Sequence, residues 1–303
     1  MNKTPSLEDL ELFSQVIRHQ SFAACAAHLG VSPAYVSKRL KMLEERLGVK
    51  LMHRTTRRVS LTEVGETVAE WGQRVLDQAQ ELVDAVSEEQ SIPRGLLRVC
   101  SSSGFGRNQV APALSDLARR YPELEIQLEL LDRRVDLVGE GFHLDIRLGE
   151  VNEPGLIARK IKHNVRILCA SPSYLKAHTP IQKLSDLSRH NCLVIRERDQ
   201  QVGRWILTGP QGEESVKVDG ALSCSNGEVV REWALDGHGV ALRSQWDVQS
   251  LLDCGGLVRV LPEYEQAAHV YAAFPSRLAS SARLRVCVEA LTAWICRAES
   301  AGE

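Results

Sequence analysis

Residues 21–65 read SFAACAAHLGVSPAYVSKRLKMLEERLGVKLMHRTTRRVSLTEVG, and this stretch decides how the N-terminal part of the chain folds. Ser21 is a natural N-cap for an alanine-rich helix from Phe22 to Leu29, which Gly30 ends. Val31, Ser32 and Pro33 then supply an apolar turn residue, a second N-cap and a proline at the first helical position, so another helix starts at Pro33 and runs to about Leu47. Two short helices joined by a glycine-containing turn of about three residues have the spacing of a helix-turn-helix. Upstream, Leu7, Leu10, Phe13, Val16 and Ile17 recur at helical intervals and predict a first amphipathic helix.

The Pro33 helix places Val36, Leu40, Leu43 and Leu47 on one apolar face. Ser32, Pro33, Ala34, Tyr35, Ser37, Lys38 and Arg39 gather at its N-terminal half, the end that enters the major groove in this motif. Arg39 or Lys38 suits a guanine edge or a phosphate, and Tyr35 a thymine methyl or a phosphate. After Gly48, two short β-like runs, Leu51-Met52 and Val59-Ser60-Leu61, flank a tip that contains Arg54, Thr55, Arg57 and Arg58. Such a tip makes a poor core but a good wing lying along phosphates or entering the minor groove. Residues 1–61 hold ten Lys/Arg against five Asp/Glu, a balance of +5, while the rest of the chain stands at −7. That asymmetry points to a nucleic-acid-binding end on an acidic body.

The 21–65 stretch resembles the DNA-binding domain of LysR-type regulators almost position for position. Beyond it, Thr62 and Glu63 open a proline-free run to Ser91, expected to be one linker helix over 62–91. Val64, Val68, Trp71, Val75, Ala79, Leu82 and Val86 make a coiled-coil-like seam along it that a lone helix cannot bury, so a homodimer and a palindromic double-stranded DNA site are expected. Ile92-Pro93-Arg94-Gly95 breaks the helix as a hinge.

Residues 92–303 alternate short β-rich runs with helical ones, the texture of α/β units. Strands are expected at Leu96–Cys100, Ile126–Leu131, Leu144–Leu148, Cys192–Ile195 and Gly239–Leu242, and helices at Val110–Tyr121, from Ser225 to near Gly237, and near Arg283–Ala298. LLRVCSSS at 96 is echoed by VRILCASPS at 165, which suggests two similar subdomains with a cleft between them. This arrangement is similar to the effector domain of the same family, a periplasmic-binding-protein-like pair of Rossmann-type subdomains. The whole chain is then α/β, with a winged helix-turn-helix at 1–61. The resemblance implies that the first subdomain takes roughly 92–162 plus the last ~35 residues, and that a small inducer sits in the cleft. It further implies tetramers that bend DNA, with RNA polymerase as an additional candidate partner.

Ser101, Ser102 and Ser103 hand a strand over to Gly104-Phe105-Gly106, a turn fit to receive an anion or simply to cap a helix. Asp145 and Arg147 share one side of an apolar strand and need either a polar cleft or each other. Arg243 ends another apolar strand, and Arg196 to Asp199, including Arg198, is expected where the chain crosses the cleft. Arginines beside helix N-termini favour a carboxylate ligand. The set SSSGFGR, LDIRLG, VIRERD, SNGE and ALRSQWDV resembles a LysR subgroup responsive to hydroxy-dicarboxylates such as D-malate or tartrate, which nominates Ser101, Ser102, Ser103, Arg147, Arg198, Asn226 and Arg243 as effector contacts. His143 departs from that subgroup, which commonly has Asp there.

No resident cofactor or metal is expected: the eight cysteines are scattered singly, and only Cys192 with Cys224 merits consideration as a redox pair. An enzyme is the main rival reading, but GxSxG, GxGxxG, P-loop and HExxH patterns are all missing. A transport binding protein fits neither the DNA-binding head nor the acidic start MNKTPSLEDLELF, which is no signal peptide. With no membrane-length apolar run, a cytoplasmic location is expected.

Overall fold

Three serines set the helix starts of the N-terminal unit in the computed structural model, which describes residues 4–54, 59–86, 93–196, 203–279 and 281–297. The hydroxyls of Ser6, Ser21 and Ser32 accept the backbone N–H groups of Asp9, Ala24 and Tyr35, opening α1 (Leu7–His19), α2 (Phe22–Leu29) and α3 (Pro33–Leu47). Phe13, Val16, Cys25, Val36, Leu43 and Leu51 form the core between these helices. Each large side chain buried this way contributes roughly 1.5–3 kcal/mol. β1 (Met52–Arg54) and β2 (Val59–Leu61) pair antiparallel, with Met52 opposite Leu61 and Arg54 opposite Val59.

Thr62 then couples the wing to the long helix α4 (Glu63–Val86). Its hydroxyl accepts from the Gly65 N–H at 2.9 Å and donates to the Lys50 carbonyl at 2.7 Å. At Gly65 a Cβ would stand 2.0 Å from the Leu51 carbonyl oxygen, so only glycine lets α4 come this close to β1. Along α4, Val68 packs on the core, whereas Val64, Trp71, Val75 and Leu82 are exposed in the single chain. Residues 87–92, the expected end of this helix and the start of the hinge, lie outside the described residues.

The chain divides into two compact units, 1–90 and 91–303. The second holds two sheets. The first sheet runs Leu124–Leu130, Gly95–Ser101, Leu144–Leu148, Val270–Pro275, Leu156–Lys162, with Gly95–Ser101 parallel to both of its neighbours and Val270–Pro275 antiparallel to both of its own. The second sheet runs Gly212–Lys217, Arg204–Gly209, Glu265–Ala267, Val165–Ala170, Val240–Ser244, Cys192–Ile195, Ser223–Cys224, and Val258–Arg259 also pairs with Val165–Ala170. Helices Ala111–Arg120 and Ala282–Arg297 pack together on the first sheet. The C-terminal helix thus returns to the first subdomain.

Two expectations are corrected. The chain crosses between the subdomains at 163–164 and returns at 268–269, not near Arg196 to Asp199. Arg196 is exposed at the end of the Cys192–Ile195 strand, well inside the second subdomain, and its N–H donates to the Cys224 carbonyl. The true crossing strand, LIARKIK at 156–162, is mostly exposed and charged, so it carries no apolar alternation to betray it. Cys192 and Cys224 also cannot pair. Cys192 lies in the core on one face of the sheet and Cys224 against the core on the other, with Cys224 in register with Ile195, three residues along the neighbouring strand. At about 3.3 Å per residue, that offset alone exceeds the reach of a disulfide. Burial pushes the Cys192 thiol up to about 12.

Candidate functional site

In the N-terminal unit, α3 turns Ser32, Pro33, Ala34, Tyr35, Ser37 and Lys38 to solvent while Val36 and Leu40 face the core. These small, hydroxylated and cationic groups form one outward face at the start of the helix, the geometry of a groove-reading surface. Arg39 is placed differently. Its guanidinium bonds the Asp9 carboxylate at 2.7 Å, with Glu8 at 3.3 Å, and Arg46 reaches the other Asp9 oxygen at 2.6 Å. Asp9 is buried, which pushes its pKa up, but Ser6 and the two arginines outweigh burial and hold it below the usual carboxylate range. Arg39 therefore ties α1 to α3.

Glu44 does comparable work at the wing. It is buried, and although burial raises its pKa, the donors from Lys50 at 2.7 Å and the Leu51 N–H at 3.0 Å bring it down. Nothing in the sequence singled it out, because a glutamate late in an amphipathic helix usually faces water. Arg54 stands in β1, and Thr55, Arg57 and Arg58 lie outside the described residues.

Between the two subdomains of the second unit lies a narrow cleft, open to solvent. Ser102, Phe105 and Asp132 line it from the first subdomain, and Arg166, Glu228 and Arg243 from the second. Arg243 is buried at the end of its strand. Its Nε and Nη2 donate to the Asp247 carboxylate at 3.0 and 2.6 Å, and Asp247 also receives Arg231 at 2.7 Å. The guanidinium lies against Gly227, the first residue of helix Gly227–Leu235, where a Cβ would stand 2.2 Å from Nη1.

Side-chain hydrogen bonds cross the cleft. Asp132 accepts from the Ser103 N–H at 2.8 Å and from the Asn226 side-chain amide at 2.9 Å. Asn226 meanwhile caps the helix behind it, its oxygen accepting from the Glu228 and Val229 N–H groups. Arg107 pairs with Glu228, and Asn108 reaches the same oxygen at 3.3 Å. The turn after Ser101 thus does receive an anion, but it is the chain's own Asp132. Neither Asp132 nor Glu228 was anticipated.

The remaining nominees separate. Ser101 is fully buried and donates to the Ile146 carbonyl at 2.7 Å, away from the cleft lining. Arg147 is held between Asp145 at 2.8 Å and Glu153 at 2.6 Å and does not line the cleft. Burial opposes its charge, but these two carboxylates prevail and raise its pKa. Of the two ways to satisfy that strand pair, the protein uses the mutual salt bridge. Arg198 lies outside the described residues. His143 is buried too, its Nδ1 accepting from the Arg98 N–H at 2.9 Å, so the departure at this position leaves the cleft lining untouched. Among the described residues no group of His, Cys, Asp or Glu gathers to hold a metal, and no helix is long and apolar enough to cross a membrane.

Residues 7–66 match the family of bacterial regulatory helix-turn-helix proteins of the lysR type, and residues 90–295 match the LysR substrate binding domain. The chain belongs to the LysR family of transcriptional regulators. It is 52% identical over 291 residues to the HTH-type transcriptional regulator DmlR of Escherichia coli K12, covering 96% of this chain and 95% of that one. It is 46% identical over 294 residues to the HTH-type transcriptional activator TtdR of the same strain, covering 97% and 95%. Among solved structures it is similar to CrgA, a LysR-type transcriptional regulator from Neisseria meningitidis, with a TM-score of 0.57 and 31% identity over 95% of this chain and 99% of that one. A LysR-type regulator binds DNA through its helix-turn-helix and performs no catalysis, which disposes of the enzyme reading.

Proposed function

We propose that this LysR-type regulator senses a small hydroxy-dicarboxylate in its inter-subdomain cleft and adjusts its grip on a palindromic promoter site accordingly. One observation carries the ligand class. A buried arginine, Arg243, held rigid by Asp247 and pressed on the first turn of a helix, faces the cleft from the second subdomain. A fixed guanidinium beside a helix N-terminus suits a carboxylate by charge and by fork geometry. The likeness to the D-malate and tartrate subgroup narrows the class further. Ser102 and Arg166 complete the cationic and hydroxyl lining, while Asn226 holds Asp132 and caps the helix against which Arg243 lies.

The partner at α4 is a second copy of the chain. Val64, Trp71, Val75 and Leu82 recur at helical spacing and are exposed in the single chain, an apolar seam that a twin helix would cover. A two-fold dimer accounts for a palindromic site.

A thermal-shift screen of D-malate, tartrate, succinate and a monocarboxylate tests the sensor. A ligand at about 100 times its dissociation constant adds roughly 2.7 kcal/mol of stability. A hydroxy-dicarboxylate should raise the melting temperature and alter promoter footprinting by the same protein. Equal indifference to all four acids overturns the ligand class, and an unprotected promoter with and without ligand overturns the coupling.

A further inference from the structure

Trp246 is the second residue of helix Gln245–Asp253 and lines the cleft beside Arg243 and Ser244. Its ring belongs to the second subdomain but packs on the hydrophobic core of the first, meeting Phe105 edge to face with centroids 5.3 Å apart and planes at 77°. The indole Nε1 is shut off from solvent and has no hydrogen-bond partner. An indole N–H can only donate, and when buried it ordinarily finds an acceptor. A buried donor without a partner in a native fold asks for a cause, and for one that lines a cleft a ligand is such a cause.

Several of the acceptors that line the cleft are engaged by other donors. The two oxygens of Asp132 serve Ser103 and Asn226, and one oxygen of Glu228, Oε1, serves both Arg107 and Asn108. The Ser244 hydroxyl receives Asn164 at 3.3 Å. The other neighbours, Phe105 and Leu148, are apolar, and Arg166 and Arg243 are themselves donors. The indole N–H thus adds one more donor to a cleft lined by Arg166 and Arg243, a set that an anion's oxygen would complete.

We infer that Trp246 is an effector-contacting residue whose indole N–H donates to a carboxylate oxygen of the bound dicarboxylate, next to the Arg243 guanidinium. This rests on the dicarboxylate reading of the cleft given above. It adds a directional donor, which selects for an oxygen at a fixed place, to a charge that attracts any anion. Because the ring is wedged on the first subdomain while its helix belongs to the second, an acceptor bound there touches both lobes at once. A buried water on Nε1 is the competing account, and it would serve the N–H with or without ligand.

Trp246→Phe keeps the ring against Phe105 and removes only the N–H. Isothermal titration of D-malate and tartrate into the full-length wild type and W246F separates the outcomes. The inference expects the acid that binds wild type to bind W246F about tenfold more weakly, as for one lost charge-assisted hydrogen bond. The melting temperature of unliganded W246F checks that the variant folds. Equal dissociation constants in the two proteins overturn the inference and leave the dicarboxylate reading standing. A wild type that binds neither acid removes that reading, and the inference falls with it. Should W246F melt early, 19F spectra of full-length wild type carrying 5-fluorotryptophan take its place, with the five resonances assigned by Phe replacements at the other four tryptophans. Saturating ligand must shift the Trp246 resonance, and an unmoved resonance overturns the inference.

Discussion

Gly227→Ala tests the geometry of the cleft with a single methyl group. The new Cβ would stand 2.2 Å from Arg243 Nη1, 2.5 Å from Nη2 and 2.6 Å from Cζ. Clearing ordinary contact requires a retreat of roughly 1 Å by a guanidinium packed at interior density. Arg243 has little room to give, since two of its nitrogens share one Asp247 oxygen at 3.0 and 2.6 Å and both side chains are buried. Stretching one charge-assisted bond forfeits about 1.5–3 kcal/mol, and overpacking a core costs about 1–3 kcal/mol. Helix propensity works the other way, favouring alanine by up to about 1 kcal/mol. The clash should win, with a net loss of about 1–3 kcal/mol. For a unit of this size that lowers the melting transition by about 2–10 °C. Calorimetry of the full chain reads the loss, titration with tartrate or D-malate should show at least about tenfold weaker binding, and promoter affinity without ligand should hold. The double variant Gly227→Ala/Arg243→Ala should be no less stable than Arg243→Ala alone, because the clash has lost its partner. If Gly227→Ala costs as much in that background as in the wild type, the reasoning fails.

Arg147→Ala should lower stability by about 3–5 kcal/mol, because it strands the buried Asp145 carboxylate; a variant that keeps its melting temperature but loses the effector response would return Arg147 to the ligand site. Lys38→Ala should weaken promoter binding and reduce the salt slope by about 0.9 without touching stability, whereas Arg39→Ala should chiefly lower the melting temperature of the N-terminal unit by freeing buried Asp9; the reverse pattern would exchange their roles. In the second subdomain, the Tyr174 hydroxyl accepts from the Asn191 N–H and so has its own proton for His190 Nδ1, at 3.1 Å. Burial, and then His178, lower the His190 pKa, with Asp186 opposing. The stability this gives is complete above the ordinary histidine value of about 6.5 and is lost as pH falls from there through the lowered value. Melting curves from pH 8 to 5 should show the loss, and His190→Gln should flatten it; an unchanged slope in the variant would acquit His190.

The readable parts of this protein were those where short-range chemistry decides. The caps at Ser21 and Ser32, the proline at 33 and the turn at Gly30 each act within a few residues, and the helices stand where those residues place them. LDIRL at 144–148 announced a central strand by the same token. The crossing strand 156–162 and the short strand Glu265–Ala267 did not, since both are largely exposed and owe their extended form to partners far away in sequence. Such pairings have no local signature.

Charged site residues were harder to read for a different reason. A charge in an apolar strand or on a core-facing helix must be compensated, but the penalty for leaving it bare is the same whether the partner is a ligand or another side chain. In the sequence Arg147 and Arg243 stand in apolar strands and Arg39 suits DNA, yet Arg39, Arg147 and Arg243 are all paired within the protein, to Asp9, Asp145 and Asp247. What distinguishes Arg243 is where its pair sits. Asp247 clamps the guanidinium from one side while the other lies against a helix-starting glycine in a cleft, so the pair orients the arginine toward the cleft without filling it. The carboxylates that would have repelled an anionic ligand, Asp132 and Glu228, are likewise committed to Ser103, Asn226 and Arg107. Internal ion pairing therefore sorts the arginines. Of the three, Arg243 is the one that lines the cleft.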